Sequence, residues 1–153
     1  MSKVEILKQF GLKHIGKWEK SNEYKSTKHL SHIHGINFVV PNELRHERDV
    51  VYAFEVEGQV LYVGETTVGI ASRFGDYRYG NSNPLDTDNR IKCKITETLE
   101  SSKQVNIWFM KPKARYQLPN YEYIDVPASK PLEEVLINQI RPVLNVKNIN
   151  STQ

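Results

Sequence analysis

Two tyrosines ten residues apart, Tyr52 and Tyr62, lie in two β-rich runs, Val50–Val56 and Gln59–Gly64, separated by Glu57-Gly58. A turn at that pair makes the runs a hairpin, and equal parity predicts both phenols on one face, close together. Two hydroxyls that project together can hand on a proton, although the same spacing also fits two aromatics packing a half-buried sheet. Arg73 and Tyr77 stand four apart, so a helix would set guanidinium and phenol on one face. That pair suits anion binding, or is a solvated arginine beside a ring. Glu133 and Glu134 precede Leu136, Ile137 and Ile140, so helical periodicity turns one carboxylate toward the core and its neighbour toward water. A glutamate in a first turn can also do no more than complement the helix dipole.

The surrounding pattern supplies elements to hold these groups. Ser2-Lys-Val-Glu5 is a capping box before Val4, Leu7 and Phe10, with Gly11 as a stop. Leu12–Lys20 and Ile33–Val40 have strand character. A helix is expected within residues 66–79, ending near Gly80, and a second over 88–101, capped by Thr87 with Ile91, Ile95 and Leu99 buried. Val105–Met110 reads as a strand, 111–125 as a proline-containing excursion, Tyr123–Val126 as a further strand, and 131–140 as a helix closed by Pro142.

The 153 residues, 39% hydrophobic and 25% charged, suit one compact domain, and the apolar runs are too short to span a bilayer. A lone cysteine, Cys93, excludes a disulfide scaffold and reads as a buried helix residue in a cytoplasmic protein. His29, His32 and His34 form the one histidine cluster, but strand alternation gives only His32 and His34 a common face, which argues against zinc. Net charge is +3, a small surplus.

In order, these residues resemble the GIY-YIG nuclease family. Its two tripeptides correspond to Val50-Val51-Tyr52 and Tyr62-Val63-Gly64, its arginine to Arg73, and its following aromatic to Tyr77. Its last helix corresponds to Leu132-Glu133-Glu134-Val135-Leu136-Ile137, with Pro142 and Asn145 after it, a register that selects Glu133 over Glu134. The likeness spans roughly residues 49–148. Val50 replaces the usual glycine, one extra residue separates Tyr62 from Arg73, and Glu65 puts a carboxylate beside the phosphate site where relatives often carry lysine or a small residue.

The resemblance implies an α+β fold, with a small central mixed sheet flanked by helices (49–153) and an N-terminal extension (1–48). It implies a metal-dependent endonuclease acting on double-stranded DNA, of restriction or phage and mobile-element type. The alternatives are a non-catalytic DNA-binding module and an RNA or repair nuclease. Glu133 would hold Mg²⁺, with Mn²⁺ able to substitute, through waters and the substrate phosphate. Arg73 would fork onto that phosphate and Tyr52 would orient or deprotonate the attacking water, supported by Tyr62 and Tyr77. Gly64 and Asn145 would be structural, Asn145 tying the end of the last helix to the sheet. One active site cuts one strand, so double-strand cleavage calls for a homo-oligomer, transient or formed on DNA, or for two encounters.

For DNA contacts the candidates are Arg78 and a basic band, Arg90, Lys92, Lys94, Lys103, Lys111, Lys113 and Arg115. Residues 1–48 carry the charge surplus, and Lys13, Lys17, Lys20, Lys25 and Lys28 are expected to meet phosphates. A segment that covers a sheet edge with Trp18, Ile33, Ile36 and Phe38 is the alternative.

Overall fold

The computed structural model describes residues 2–21, 35–80, 83 and 86–145, so Lys25, Lys28, His29, His32 and His34 lie outside the described residues. The elements run α1 (Lys3–Gln9), β1 (Lys13–Ser21), β2 (Gly35–Val39), β3 (Val50–Val56), β4 (Gln59–Thr66), α2 (Ile70–Tyr79), α3 (Thr87–Glu100), β5 (Val105–Met110), β6 (Ala114–Gln117), β7 (Tyr123–Val126) and α4 (Ser129–Ile140). A five-stranded sheet has the order β2-β1-β5-β3-β4, and β6 and β7 form a separate ribbon. The α+β architecture is as expected, but every ladder is antiparallel rather than mixed. β5 runs parallel to β4 on the far side of β3, so the two never share a ladder.

The hairpin that carries the tyrosines turns at Glu57-Gly58, both with positive φ (50° and 86°), as a two-residue turn matched to strand twist requires. In a regular ladder closed by that turn, Tyr62 would fall on the face opposite Tyr52. An irregularity intervenes: Glu55 pairs with Val60 but Phe54 pairs with Tyr62, so Leu61 is an extra residue. This bulge moves Tyr62 onto the face of Tyr52 and sets Tyr52 directly opposite Gly64, with Tyr62 one step along. Equal parity alone was not sufficient. The buried Glu55 carboxylate accepts from the Gly58 N–H (2.9 Å), the Asn106 amide (3.1 Å) and the Trp108 indole (3.0 Å), which pins the turn to β5.

The sheet is buried on both sides. On one face Trp18, Phe38, Tyr52, Phe54 and Ile107 pack against Phe74 and Tyr77 of α2 and Ile91 and Ile95 of α3. On the other, Val51, Ala53, Val63 and Trp108 pack with Leu7 of α1 and Leu136 and Ile140 of α4. β3 is therefore buried along its whole length and apolar but for Glu55, instead of alternating. The Ser2 hydroxyl accepts from the Glu5 N–H (3.2 Å), closing the α1 cap. α2 starts only at Ile70, after Gly69 with φ 112°, and α3 is capped by Asp86 instead of Thr87. Cys93 is exposed, contrary to expectation, because Ile91 and Ile95 face the core and residue 93 points away between them.

The segment 1–48 contributes α1, β1 and β2, and β1 pairs along β5 from Lys13↔Phe109 to Trp18↔Val105. Its backbone is thus continuous with the sheet, Trp18 is buried, and Lys13, Lys17 and Lys20 remain exposed along β1.

Candidate active site

The catalytic candidates converge on β4, which is an edge strand, so groups from both faces of the sheet meet around it. From one face come three phenols. Tyr52 and Tyr77 are fully buried and share a hydrogen bond between their hydroxyls, and the Tyr62 ring stands 6.4 Å from Tyr52 and 6.2 Å from Tyr77. Burial raises the pKa of all three, and mutual repulsion of phenolates raises those of Tyr52 and Tyr77 further. Hydrogen bonding from Tyr77 and the charge of Arg73 pull Tyr62 back. Tyr62 is also the least enclosed of the three.

Gly64 is required by this packing. A Cβ there would lie 2.6 Å from both Cζ and Oη of Tyr52, whose ring is hemmed in by Phe54 and Phe74 at 5.5 and 5.0 Å. Gly64→Ala is therefore expected to cost about 2 kcal/mol in urea unfolding and to tilt the Tyr52 ring away from Tyr77. A variant as stable as the parent would show that the ring has room to move.

Arg73 leaves α2 one turn before Tyr77, and its guanidinium lies 4.4 Å over the Tyr77 ring. Asp88, in the first turn of α3, accepts from Nη1 (3.3 Å) and Nη2 (3.0 Å), and Asp76 accepts from Nη1 (3.2 Å). These bonds engage three of the five N–H groups, and the guanidinium also hydrogen-bonds the Tyr52 phenol, which ties Arg73 to the phenol cluster. Burial works against the charge of Arg73, and the Asp88 carboxylate bonded to it keeps the guanidinium firmly protonated.

From the opposite face comes α4. Its helical register buries Leu136 and Ile140, leaves Glu134 exposed and turns Glu133 inward, half-buried beside Glu65 of β4. The Ser129 hydroxyl donates to the Glu65 carboxylate (2.9 Å), which seats the start of α4 on the strand. Desolvation first, then the charge of Glu65, raises the Glu133 pKa from 4.5 to about 7. Tyr62 feels the charge of Arg73, which lowers its pKa, and of Glu133, which raises it.

The raised pKa has a consequence for stability. Between pH 4.5 and about 7 the folded protein binds a proton that the unfolded chain has released, so stability falls as pH rises through that window. Glu133→Gln, neutral throughout, should lack the fall. Unfolding at the two ends of the window is expected to separate the two proteins by about 1–2 kcal/mol after solvent screening; parallel curves would place the carboxylate in ordinary solvent.

Beyond α4, Asn145 is buried and brackets one residue of the edge strand: Val63 N–H donates to its Oδ1 (3.0 Å) and its Nδ2 donates to the Val63 carbonyl (3.1 Å). The side-chain amide completes the bonds a further strand would have made, next to Tyr62 and Gly64.

The basic candidates do not form one stripe. Lys103 and Lys111 flank β5 at opposite ends, paired with Glu57 (3.7 Å) and Glu47 (3.3 Å). Arg90 and Lys94 are partly exposed on α3, but Lys92 is buried on the face it shares with Ile91 and Ile95, and desolvation lowers its pKa. Arg78 is drawn back to the sheet, its Nε donating to the Ile36 carbonyl (2.9 Å). Lys113 and Arg115 are exposed at the β6–β7 ribbon. Asp88 is the site residue that the sequence reading missed: it lies fifteen residues from Arg73 on another helix, and no local spacing links them.

No protein-family model matches the sequence, and no curated protein does. Solved structures do. A point mutant of bacteriophage T4 EndoII superposes with a TM-score of 0.62 at 14% identity, over 95% of this chain and 99% of that one. The restriction endonuclease HPY188I in complex with product DNA superposes at 0.53 and 15% identity, over 98% and 82%. The chain shares the fold of these nucleases. The resemblance read from the tyrosine, arginine and glutamate motifs is thereby joined by a likeness of fold over most of the chain. Among the described residues no helix is long and apolar enough to cross a membrane.

Proposed function

We propose that this chain is a metal-dependent endonuclease of GIY-YIG type that hydrolyses phosphodiester bonds in double-stranded DNA. The observation that carries the reading is the meeting, around edge strand β4, of the Arg73 guanidinium, the phenol cluster and Glu133, on a fold shared with nucleases.

Phosphodiester hydrolysis needs a water aligned with the leaving oxygen, neutralisation of the charge on the phosphorane, and stabilisation of the departing alkoxide. The Arg73 guanidinium, which also bonds the Tyr52 phenol, supplies charge-assisted donors to the phosphate, while Asp88 keeps it from rotating. The phenols orient the water: Tyr62 has the access, and Tyr77, itself bonded to Tyr52, holds the Tyr62 hydroxyl by hydrogen bonding. Glu133 and the adjacent Glu65 offer only carboxylate oxygens, a donor set suited to a hard cation such as Mg²⁺, with Mn²⁺ able to replace it. Bound there, the ion would act as a Lewis acid toward the phosphate and leaving oxygens. Ionisation of Glu133 is then a precondition for holding it.

Supercoiled plasmid incubated with the full chain tests the reading. Conversion to nicked and linear forms is expected with Mg²⁺ or Mn²⁺ and not with EDTA. Intact plasmid under all three conditions would leave a DNA-binding module in place of an enzyme.

A further inference from the structure

We infer that the β6–β7 ribbon enters the major groove of duplex DNA and reads base edges with Arg115, Gln117, Tyr123 and Asp125. This rests on the nuclease reading and adds to it the surface that selects sequence.

Among the described residues the two strands pair only with each other. Nearly every residue in them is solvent-exposed, including the large side chains of Tyr116 (61%), Tyr123 (59%) and Ile124 (46%). An isolated two-stranded ribbon with bare aromatics does not sustain itself by burial, so its shape calls for a partner. Cross-strand pairing divides the side chains by face. Ala114↔Val126 and Tyr116↔Ile124 form an apolar face, while Arg115↔Asp125 and Gln117↔Tyr123 form a polar one.

That polar face matches the major-groove code. Arginine forks onto guanine O6 and N7, glutamine onto adenine, and a carboxylate accepts from the cytosine amino group. The ribbon is two strands wide and about 13 Å long, dimensions that the major groove admits. Charge placement agrees: Lys113 leads into β6 and Lys130 follows β7, both exposed and set to meet phosphates on either side. In the free protein Arg115 rests against Asp125 at 3.5 Å, a pair so exposed that a base edge can displace it. Continuity completes the argument, because Glu133 follows the end of β7 by seven residues on α4. A ribbon held in the groove would thus fix the register of Glu133 along the backbone.

The test uses the full chain, with Ca²⁺ in place of Mg²⁺, and two short GC-containing duplexes, one with 7-deazaguanine replacing guanine. That base keeps Watson–Crick pairing and loses the major-groove N7. The parent should bind the modified duplex about tenfold more weakly, and Arg115→Ala should bind both duplexes equally. Sequencing of cut ends from a randomised duplex pool with Mg²⁺ should show a base preference that Gln117→Ala alters at one position. A penalty retained in Arg115→Ala, together with an unaltered cut-site profile in Gln117→Ala, overturns the inference. So does a parent that binds and cuts both duplexes alike. If these results are joined by a loss of self-association in Tyr116→Ser by sedimentation, the ribbon is instead a contact between copies of the chain. A parent that neither binds nor cuts any duplex removes the nuclease reading itself, and the ribbon's role with it.

Discussion

Replacing Glu133 with alanine is expected to lower single-turnover cleavage at least a thousandfold while leaving DNA binding intact or modestly tighter. The first effect follows from chemistry: Glu133 is the carboxylate that α4 turns toward β4 to hold the cation, and Glu65 beside it, with one oxygen already accepting from Ser129, cannot replace it. The second follows from charge, since a negative group is removed next to a polyanion. Glu134 supplies the internal control. It sits one residue on, about 100° around the helix, in solvent, so Glu134→Ala should cut within a few-fold of the parent. If Glu134→Ala is the dead variant and Glu133→Ala the active one, the helix register assigned here is off by one. Equal activity in both would move the metal site off α4 altogether.

The parts of this site legible in the sequence are those set by short-range periodicity. Val50–Val56 and Gln59–Thr66 announce a hairpin because β-branched and aromatic residues flank a turn pair. Leu132, Leu136 and Ile140 announce α4 and with it the inward side of Glu133. That Tyr52 and Tyr62 share one face is expected from their parity, but on an argument that a regular hairpin would defeat. The bulge at Leu61 delivers it, and a bulge is decided by how two strands pack between helices, which no dipeptide signals. Asp88 was invisible for the corresponding reason: its meaning lies in a contact between α2 and α3. Cys93 was misplaced because an apolar residue type outweighed a helical phase that already assigned the core side to Ile91 and Ile95. Lys92 shows the converse, a charged type buried by phase. β6 was read as irregular chain since Pro112 and Pro119 flank it and its strands are only four residues long.

Arg73→Lys is expected to lose about a hundredfold or more in single-turnover cleavage, with DNA affinity changed little. Lysine preserves the positive charge, and its ammonium can still reach Asp88 or the phosphate. It cannot serve both with fixed geometry, because a planar guanidinium can hold Asp88 along one edge and still present donors from another, and an ammonium has no such edges. The loss should therefore appear in the rate, where two aligned donors meet charge developing on the phosphate, and not in ground-state binding, where a point charge suffices. Folding is not at issue: residue 73 is partly exposed, and the buried anchors of α2 are Ile70, Phe74 and Tyr77. Asp88→Asn refines the reading, since an amide offers one acceptor in place of two and loosens the fork without removing it. A smaller loss than in Arg73→Lys, again in rate and not in affinity, would identify Asp88 as the group that positions the arginine. A faster Asp88→Asn would mean the opposite, that Asp88 competes with the phosphate for Arg73. Arg73→Lys within a few-fold of the parent would show that the charge of the transition state is met elsewhere, and Arg73 would then be a strut between α2 and α3.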